Sequence, residues 1–214
     1  MTDRSHTPKG QRARARILDA AEAIIVTHGF HGASIRDIAA AAELPLATVV
    51  YHFARKEQLY AAVLHEIGDE LVATLDRATT PDAFVEALVE WTAAKPGRVK
   101  LLLRELLDNP MRVKKAAQLP LAPFVERAAA LLGVDNPELA LLHVVGGLSY
   151  VIAAWPTVER IVGTERANRL HAGYRKTAVA FARRALGLED LHGSRTAMSA
   201  RPSRARSPRA QDHR

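Results

Sequence analysis

The chain has 214 residues, of which 48% are apolar, so a sizeable core can form in one large domain or two small ones. It contains no cysteine, which excludes a disulfide scaffold, a thiolate metal site and a cysteine nucleophile. The formal net charge is +7, a balance that suits a polyanionic partner, and the excess lies at the two ends.

Residues 1–11 are basic, polar and interrupted by Pro8 and Gly10, and are predicted to form a flexible arm. They lack the apolar stretch of a signal peptide. A first helix is predicted over residues 12–28, where Ile17, Ala20, Ala21, Ile24 and Ile25 recur on one face. Gly29 is its stop signal, and Phe30 is placed to pack back on it. Ser34, with Asp37 three residues on, marks the start of a second helix. A short third helix is predicted from Leu46 to His52, and a long fourth from Lys56 towards Leu75. Ile38, Ala42, Leu44 and Val49 sit where a helix-turn-helix needs its core, and Ala39 is small where two helices must cross. Arg36, Thr48, Tyr51, His52 and Lys56 are left facing outward. Such a unit offers one helix to the DNA major groove and rests the other on the backbone.

The remainder is helix punctuated by proline. Pro81 opens helix five, which ends before Lys95-Pro96-Gly97, and helix six covers residues 98–107. A short turn of helix is predicted over residues 111–118, helix seven over 121–132, helix eight over 137–154 and helix nine over 165–186. No alternation of period two occurs, so the fold class is all-α. No apolar run reaches transmembrane length; residues 144–155 are the longest. From residue 191 onward Ser, Arg, Pro and Ala prevail, the composition of a disordered basic tail. The divisions are therefore an arm at 1–11, a helix-turn-helix domain at 12–56, a helical domain at 57–190 and a tail at 191–214.

Helix eight is apolar almost all round, with Gly146 and Gly147 at its centre, and such a helix must be buried all round. Helix nine has a seam of Ala167, Leu170, Tyr174, Ala178, Phe181 and Ala185 opposite a basic face. Paired with their copies in a second chain, the two helices make a four-helix bundle. A homodimer is the expectation, with Gly146, Gly147, Leu170, Tyr174, Ala178 and Phe181 at its interface.

Over residues 16–64 the chain resembles the TetR family of transcriptional repressors. The residues that carry the likeness are Ile17-Leu18-Asp19-Ala20-Ala21, Phe30, Ser34 to Ala39, and Tyr51-His52-Phe53-Ala54-Arg55-Lys56-Glu57-Gln58-Leu59. The resemblance implies DNA-contacting roles by position. Arg36 matches a residue that reaches a base edge, which its guanidinium fork suits. Thr48 matches a contact to a thymine methyl or phosphate, and Tyr51 and His52 match a pair that packs on sugar and bonds phosphate. Lys56 matches a phosphate contact at the helix-four N-terminus. The chain departs from the family pattern at several points. Glu43 stands where glycine is usual, at a cost of about 1–2 kcal/mol if the backbone is left-handed there. Pro45 and Arg55 replace capping serines, each forfeiting roughly 0.5–2 kcal/mol. Ala47 and Val50 replace a glycine and a tyrosine, leaving an apolar recognition face suited to thymine methyls.

The resemblance also implies a small-molecule pocket within helices four to eight. Its candidate walls are Leu102, Leu106, Phe124, Val144, Leu148 and Ile152, with Trp91, Arg104, His143, Ser149 and Tyr150 as the groups able to orient a polar atom. A small, mostly apolar effector is favoured over a sugar or a metal. No HExxH, P-loop or GxSxG occurs, so no enzyme is expected; nor is a metal, a cofactor or a membrane. The expected partners are double-stranded DNA, an effector and a second copy of the chain, in the cytoplasm. The alternatives are a nonspecific DNA-binding helical dimer using both basic ends, and a structural dimer without DNA binding.

Overall fold

A computed structural model describes residues 7–108 and 121–188. The described residues form helices and no strand: α1 (Pro8–Gly32), α2 (Ile35–Ala41), α3 (Leu46–His52), α4 (Lys56–Asp76), α5 (Pro81–Ala94), α6 (Pro96–Asp108), α7 (Ala122–Leu132), α8 (Pro137–Val162) and α9 (Thr164–Ala185). The all-α class is as the sequence predicts. The helix predicted over residues 111–118 and the tail beyond residue 188 lie outside the described residues.

The α1 helix begins at Pro8 and not at Arg12. Thr7 Oγ1 accepts from the Gly10 amide at 3.2 Å, and Pro8 takes the first helical position. A proline is tolerated there because its missing N–H has no partner in the first turn. The last four residues of the predicted arm are therefore helical. At the far end Gly29 adopts φ 73°, breaking the helix before its final turn.

Ile17, Leu18, Ala21 and Ile25 of α1 are buried against Ile38 and Ala39 of α2 and Val49 of α3. Each such Ile or Leu stabilises the head by about 1.5–3 kcal/mol. The long α4 carries Leu59, Val63, Ile67, Leu71 and Leu75 along one buried face. It packs on α1 in the head and on α5 and α7 in the body, so one unbroken helix beginning at Lys56 links the two. In the body, α9 packs on α5 and α8, and α6 packs on α8 and α1. Phe84 and Phe124 meet at the centre with ring centroids 6.1 Å apart.

Two expectations for α8 need correction. It runs to Val162, straight through Pro156, instead of ending at Ala154. Pro156 is exposed, on the side where a helix can open towards water and tolerate the lost hydrogen bond. With this extension α8 is long and apolar enough, by length and composition, to cross a membrane. Nor is it buried all round. Leu141, Val144, Leu148, Ser149 and Ile152 face the core, whereas Leu139, Leu142, Tyr150 and Val151 are exposed.

Candidate nucleic-acid interface

The head is built by local capping and by one lysine. Ser34 Oγ accepts from the Asp37 amide at 3.1 Å and donates to the Asp37 carboxylate at 2.6 Å, which fixes the start of α2. Between α2 and α3, Glu43 lies in the left-handed region at φ 51°. Neither α3 nor α4 has a side-chain N-cap, as Pro45 and Arg55 imply. Ala42, Val49 and Phe53 are buried between the helices.

What remains outside is one continuous face. Arg36 of α2 is exposed, as are Leu46, Ala47, Val50 and Tyr51 of α3, while Thr48 and His52 are half-buried. Leu46, Val50 and Tyr51 retain 42%, 46% and 57% of their surface, which makes the recognition helix apolar outside as well as inside. The Tyr51 and His52 rings stand edge-on with centroids 5.3 Å apart. On α1, Lys9, Arg12, Arg14 and Arg16 are exposed, and Arg14 lies 5.6 Å from the Phe53 ring centroid. Cations near an apolar reading face can hold phosphates while the helix meets base edges.

The geometry separates Lys56 from this set. Its ammonium donates to Phe30 O at 2.8 Å and to Ala33 O at 3.0 Å, and lies 4.4 Å from the Phe30 ring centroid. Two of its three donors thus hold the α1–α2 connection against α4. Sequence spacing shows none of this, because the partners are 26 and 23 residues away.

A helix-turn-helix head with an apolar reading helix, joined by one long helix to an all-α body, is the architecture found in a family of DNA-binding regulators. Residues 17–63 match the family model described as bacterial regulatory proteins, tetR family. The transcriptional regulator RutR of Escherichia coli is 34% identical over 155 residues, covering 65% of this chain and 73% of RutR. The chain belongs to the TetR family. An HTH-type transcriptional repressor of Mycobacterium tuberculosis is 37% identical over 109 residues. That match takes in 50% of this chain and 54% of the repressor, so the chain spans about half the length of that relative. Among solved structures, Salmonella enterica GusR superposes with a TM-score of 0.63 at 20% identity, over 86% of this chain and 99% of GusR. The regulator FadR of Bacillus subtilis, in complex with stearoyl-CoA, gives 0.57 at 16% identity, over 81% and 96%. These two likenesses establish the TetR-type fold of head and body together.

In the TetR-type body, the structure brings together part of each remaining set. Trp91, Phe124, Val144, Leu148, Ser149 and Ile152 are buried, and Leu102 is half-buried. Arg104, Leu106, His143 and Tyr150 are exposed and do not join them. Arg104 points at the head, donating to Val26 O of α1 at 3.0 Å. His143 and Tyr150 fall on the outer side of α8, since a 3.6-residue period puts 139, 142, 143, 146 and 150 on one stripe. The α9 seam also divides. Ala167, Tyr174 and Ala178 are buried within the chain, whereas Leu170 and Phe181 are exposed. The Phe181 ring lies across Gly147 so closely that a Cβ there would come within 2.7 Å of it. Among the described residues no group of three or more His, Asp or Glu is placed to hold a metal ion.

Proposed function

We propose that the chain is a ligand-responsive transcriptional repressor, which binds a near-palindromic operator as a homodimer and is released by a small, mostly apolar molecule. The observation that carries this reading is the α2–α3 face, where exposed Arg36, Leu46, Ala47, Val50 and Tyr51 stand over a buried core. Large apolar side chains are expensive to leave in water beside an arginine unless a partner covers them. A major groove lined with thymine methyls and guanine acceptors suits both. Thr48, Tyr51 and His52 then position the head on the backbone. A regulator of this kind works at the chromosome, which in a bacterium places it in the cytoplasm.

The dimer is supported by the exposed α8 stripe of Leu139, Leu142, Gly146 and Tyr150, and by the exposed Leu170 and Phe181 of α9. A contiguous apolar patch of this kind marks an interface. A two-fold axis would set the same stripe against itself, with Gly146 allowing close approach. An apolar effector is supported by Phe124, Val144, Leu148 and Ile152 facing inward with Trp91 and Ser149 as the polar groups. FadR with stearoyl-CoA, a similarly folded neighbour, holds a ligand with a long apolar chain.

Selection of DNA from a random library by the full chain, read by sequencing, tests this function. An inverted repeat with half-sites about one helical turn apart, or a multiple, is the expected result. Recovery without any enriched motif, with affinity falling steeply in salt, would instead support nonspecific binding. No recovery at all would leave a helical dimer without DNA binding.

A further inference from the structure

The start of α6 violates the local rules of helix design. Pro96 takes the first position and Arg98 the third, Lys95 immediately precedes them, and no acidic residue lies in the first turn. Cations there oppose the positive end of the helix dipole. Breaks of a local rule concentrate at functional or strained sites and are offset by interactions elsewhere in the fold.

The charges are matched by carboxylates from two other helices. Arg98 Nε donates to Glu22 Oε1 at 2.9 Å and Nη2 donates to Glu22 Oε2 at 2.8 Å, a two-pronged pair with α1. Its remaining arm, Nη1, donates to Glu70 Oε2 of α4. Lys95 Nζ donates to the other oxygen of Glu70. The Arg98, Glu22 and Glu70 side chains keep 19%, 22% and 28% of their surface, so salt screens them less than it would free surface pairs. The Glu22 hydrogen bond holds Arg98 more firmly protonated than usual.

The place of this cluster matters as much as its strength. Glu22 belongs to the head, Arg98 to the body, and Glu70 to the helix that joins them. Close by, Gly97 brings the α6 backbone within reach of Val26 of α1, at 3.4 Å from where a Cβ would stand. Further along, the seam between α1, α4 and α6 opens into a cleft of about 560 Å3 bordered by Ile25, Phe30, Tyr60, Leu101 and Arg104. Apolar packing therefore does not fix the angle of α1 on α6 along its whole length.

We infer that Arg98 is the positioning residue that sets the reading head on the body, its fork gripping Glu22 of α1 while its third arm holds Glu70 of α4. An arginine meets both demands because its five donors lie in one rigid plane; lysine supplies charge without the fork. Any movement of α6 or α4 in the body is transmitted through this joint to α1, and hence to α2 and α3. The consequence for DNA rests on the function proposed above, but the joint itself is a property of one chain.

The test uses the full chain, whose lack of cysteine allows clean labelling. Spin labels at Ala40→Cys in α2 and Ala130→Cys in α7, both exposed, report the head-to-body distance. Dilution with unlabelled chain restricts the signal to one molecule. Arg98→Met should shift or broaden the distance distribution, Glu22→Gln should do so less, and Arg98→Lys should fall between. Arg169→Met, which removes an exposed pair with Glu165, should leave it unchanged. A distribution for Arg98→Met that superimposes on the parent, or an equal change with Arg169→Met, overturns the proposal. If Arg98→Met does not melt cooperatively, Glu22→Gln alone decides. On a DNA site recovered by the parent chain, Arg98→Met should lose affinity about tenfold. A moved head with unchanged affinity overturns the claim that the joint sets reading. If the parent recovers no site, the DNA reading fails, while the distance measurement still decides the joint.

Discussion

Arg16 of α1 donates to the Glu43 carboxylate at 3.1 Å, across the turn between α2 and α3. Glu43 is also the residue held at φ 51°, where a side chain is unfavourable. One position thus combines backbone strain with a compensating ion pair. Both groups are largely exposed, at 50% and 85%, so the pair is worth about 0–1 kcal/mol. The strain costs about 1–2 kcal/mol. Glu43→Gly should therefore leave stability unchanged or raise it by about 1 kcal/mol. Glu43→Ala keeps the strain and loses the pair, and should lower it slightly. Denaturant midpoints of the two variants against the parent check the order.

The dimer predicts a different response from residues of the same α8–α9 region. Tyr150 is 68% exposed within one chain and Phe181 43%. Tyr150→Glu should leave each chain folded and give monomers in sedimentation, because a charge then lies in a desolvated interface. Tyr174→Glu, by contrast, should damage the chain itself, since Tyr174 is buried against its own body. A stable Tyr150→Glu dimer would place the interface elsewhere.

These two cases show how far the sequence can be read. The Ser34–Asp37 cap and the Gly29 stop are local events that residue type and spacing reveal, whereas the left-handed backbone at Glu43 is legible only through the resemblance to a family that usually has glycine there. The phase of α8 is also local, but which side of an apolar helix faces its own core depends on packing partners. Hence Leu148 and Tyr150 were equally eligible for the interior, and only one is there. The α1 start hid behind Pro8, which reads as a breaker yet suits a first helical position once Thr7 caps it. Arg98 and Glu22 are 76 residues apart, and no pattern in the chain pairs them.

Acid should separate two carboxylates of α4. At Glu66, burial pushes the carboxyl above its usual value of 4.5, with Arg14 only partly opposing it. At Glu70, burial also pushes upward, but the Lys95 hydrogen bond and the Arg98 charge bring the carboxyl below 4.5. The signs follow from linkage. Ionised Glu70 stabilises the fold above its unfolded value, and this is lost as pH falls through the lower folded value. Protonated Glu66 favours the fold below its unfolded value, and this is lost as pH rises through the higher folded value. Glu70→Gln should thus lower the melting temperature at neutral pH and flatten its fall below pH 4.5. Glu66→Gln should hold or raise it at neutral pH. Thermal melts across the acid range give both slopes.

Lys56 and Arg36 should differ in how they weaken DNA binding. A lysine on a phosphate releases about one counterion, so removing it lowers the salt slope by about 0.9. Lys56 is instead committed to the Phe30 and Ala33 carbonyls. Removing it takes two charge-assisted hydrogen bonds from a half-buried joint, a loss of about 1–3 kcal/mol in stability. Lys56→Met should therefore lower the melting temperature while leaving the salt slope close to that of the parent. Arg36 carries no such duty; it is exposed on α2 beside the reading helix. Arg36→Ala should keep the melting temperature and cost about 1–3 kcal/mol at one base pair of the selected site. The check is affinity over a salt series, measured for both variants on the selected site and on sites changed one base pair at a time. A slope lowered by Lys56→Met would return that residue to the phosphates, and unchanged base preference in Arg36→Ala would remove Arg36 from base reading.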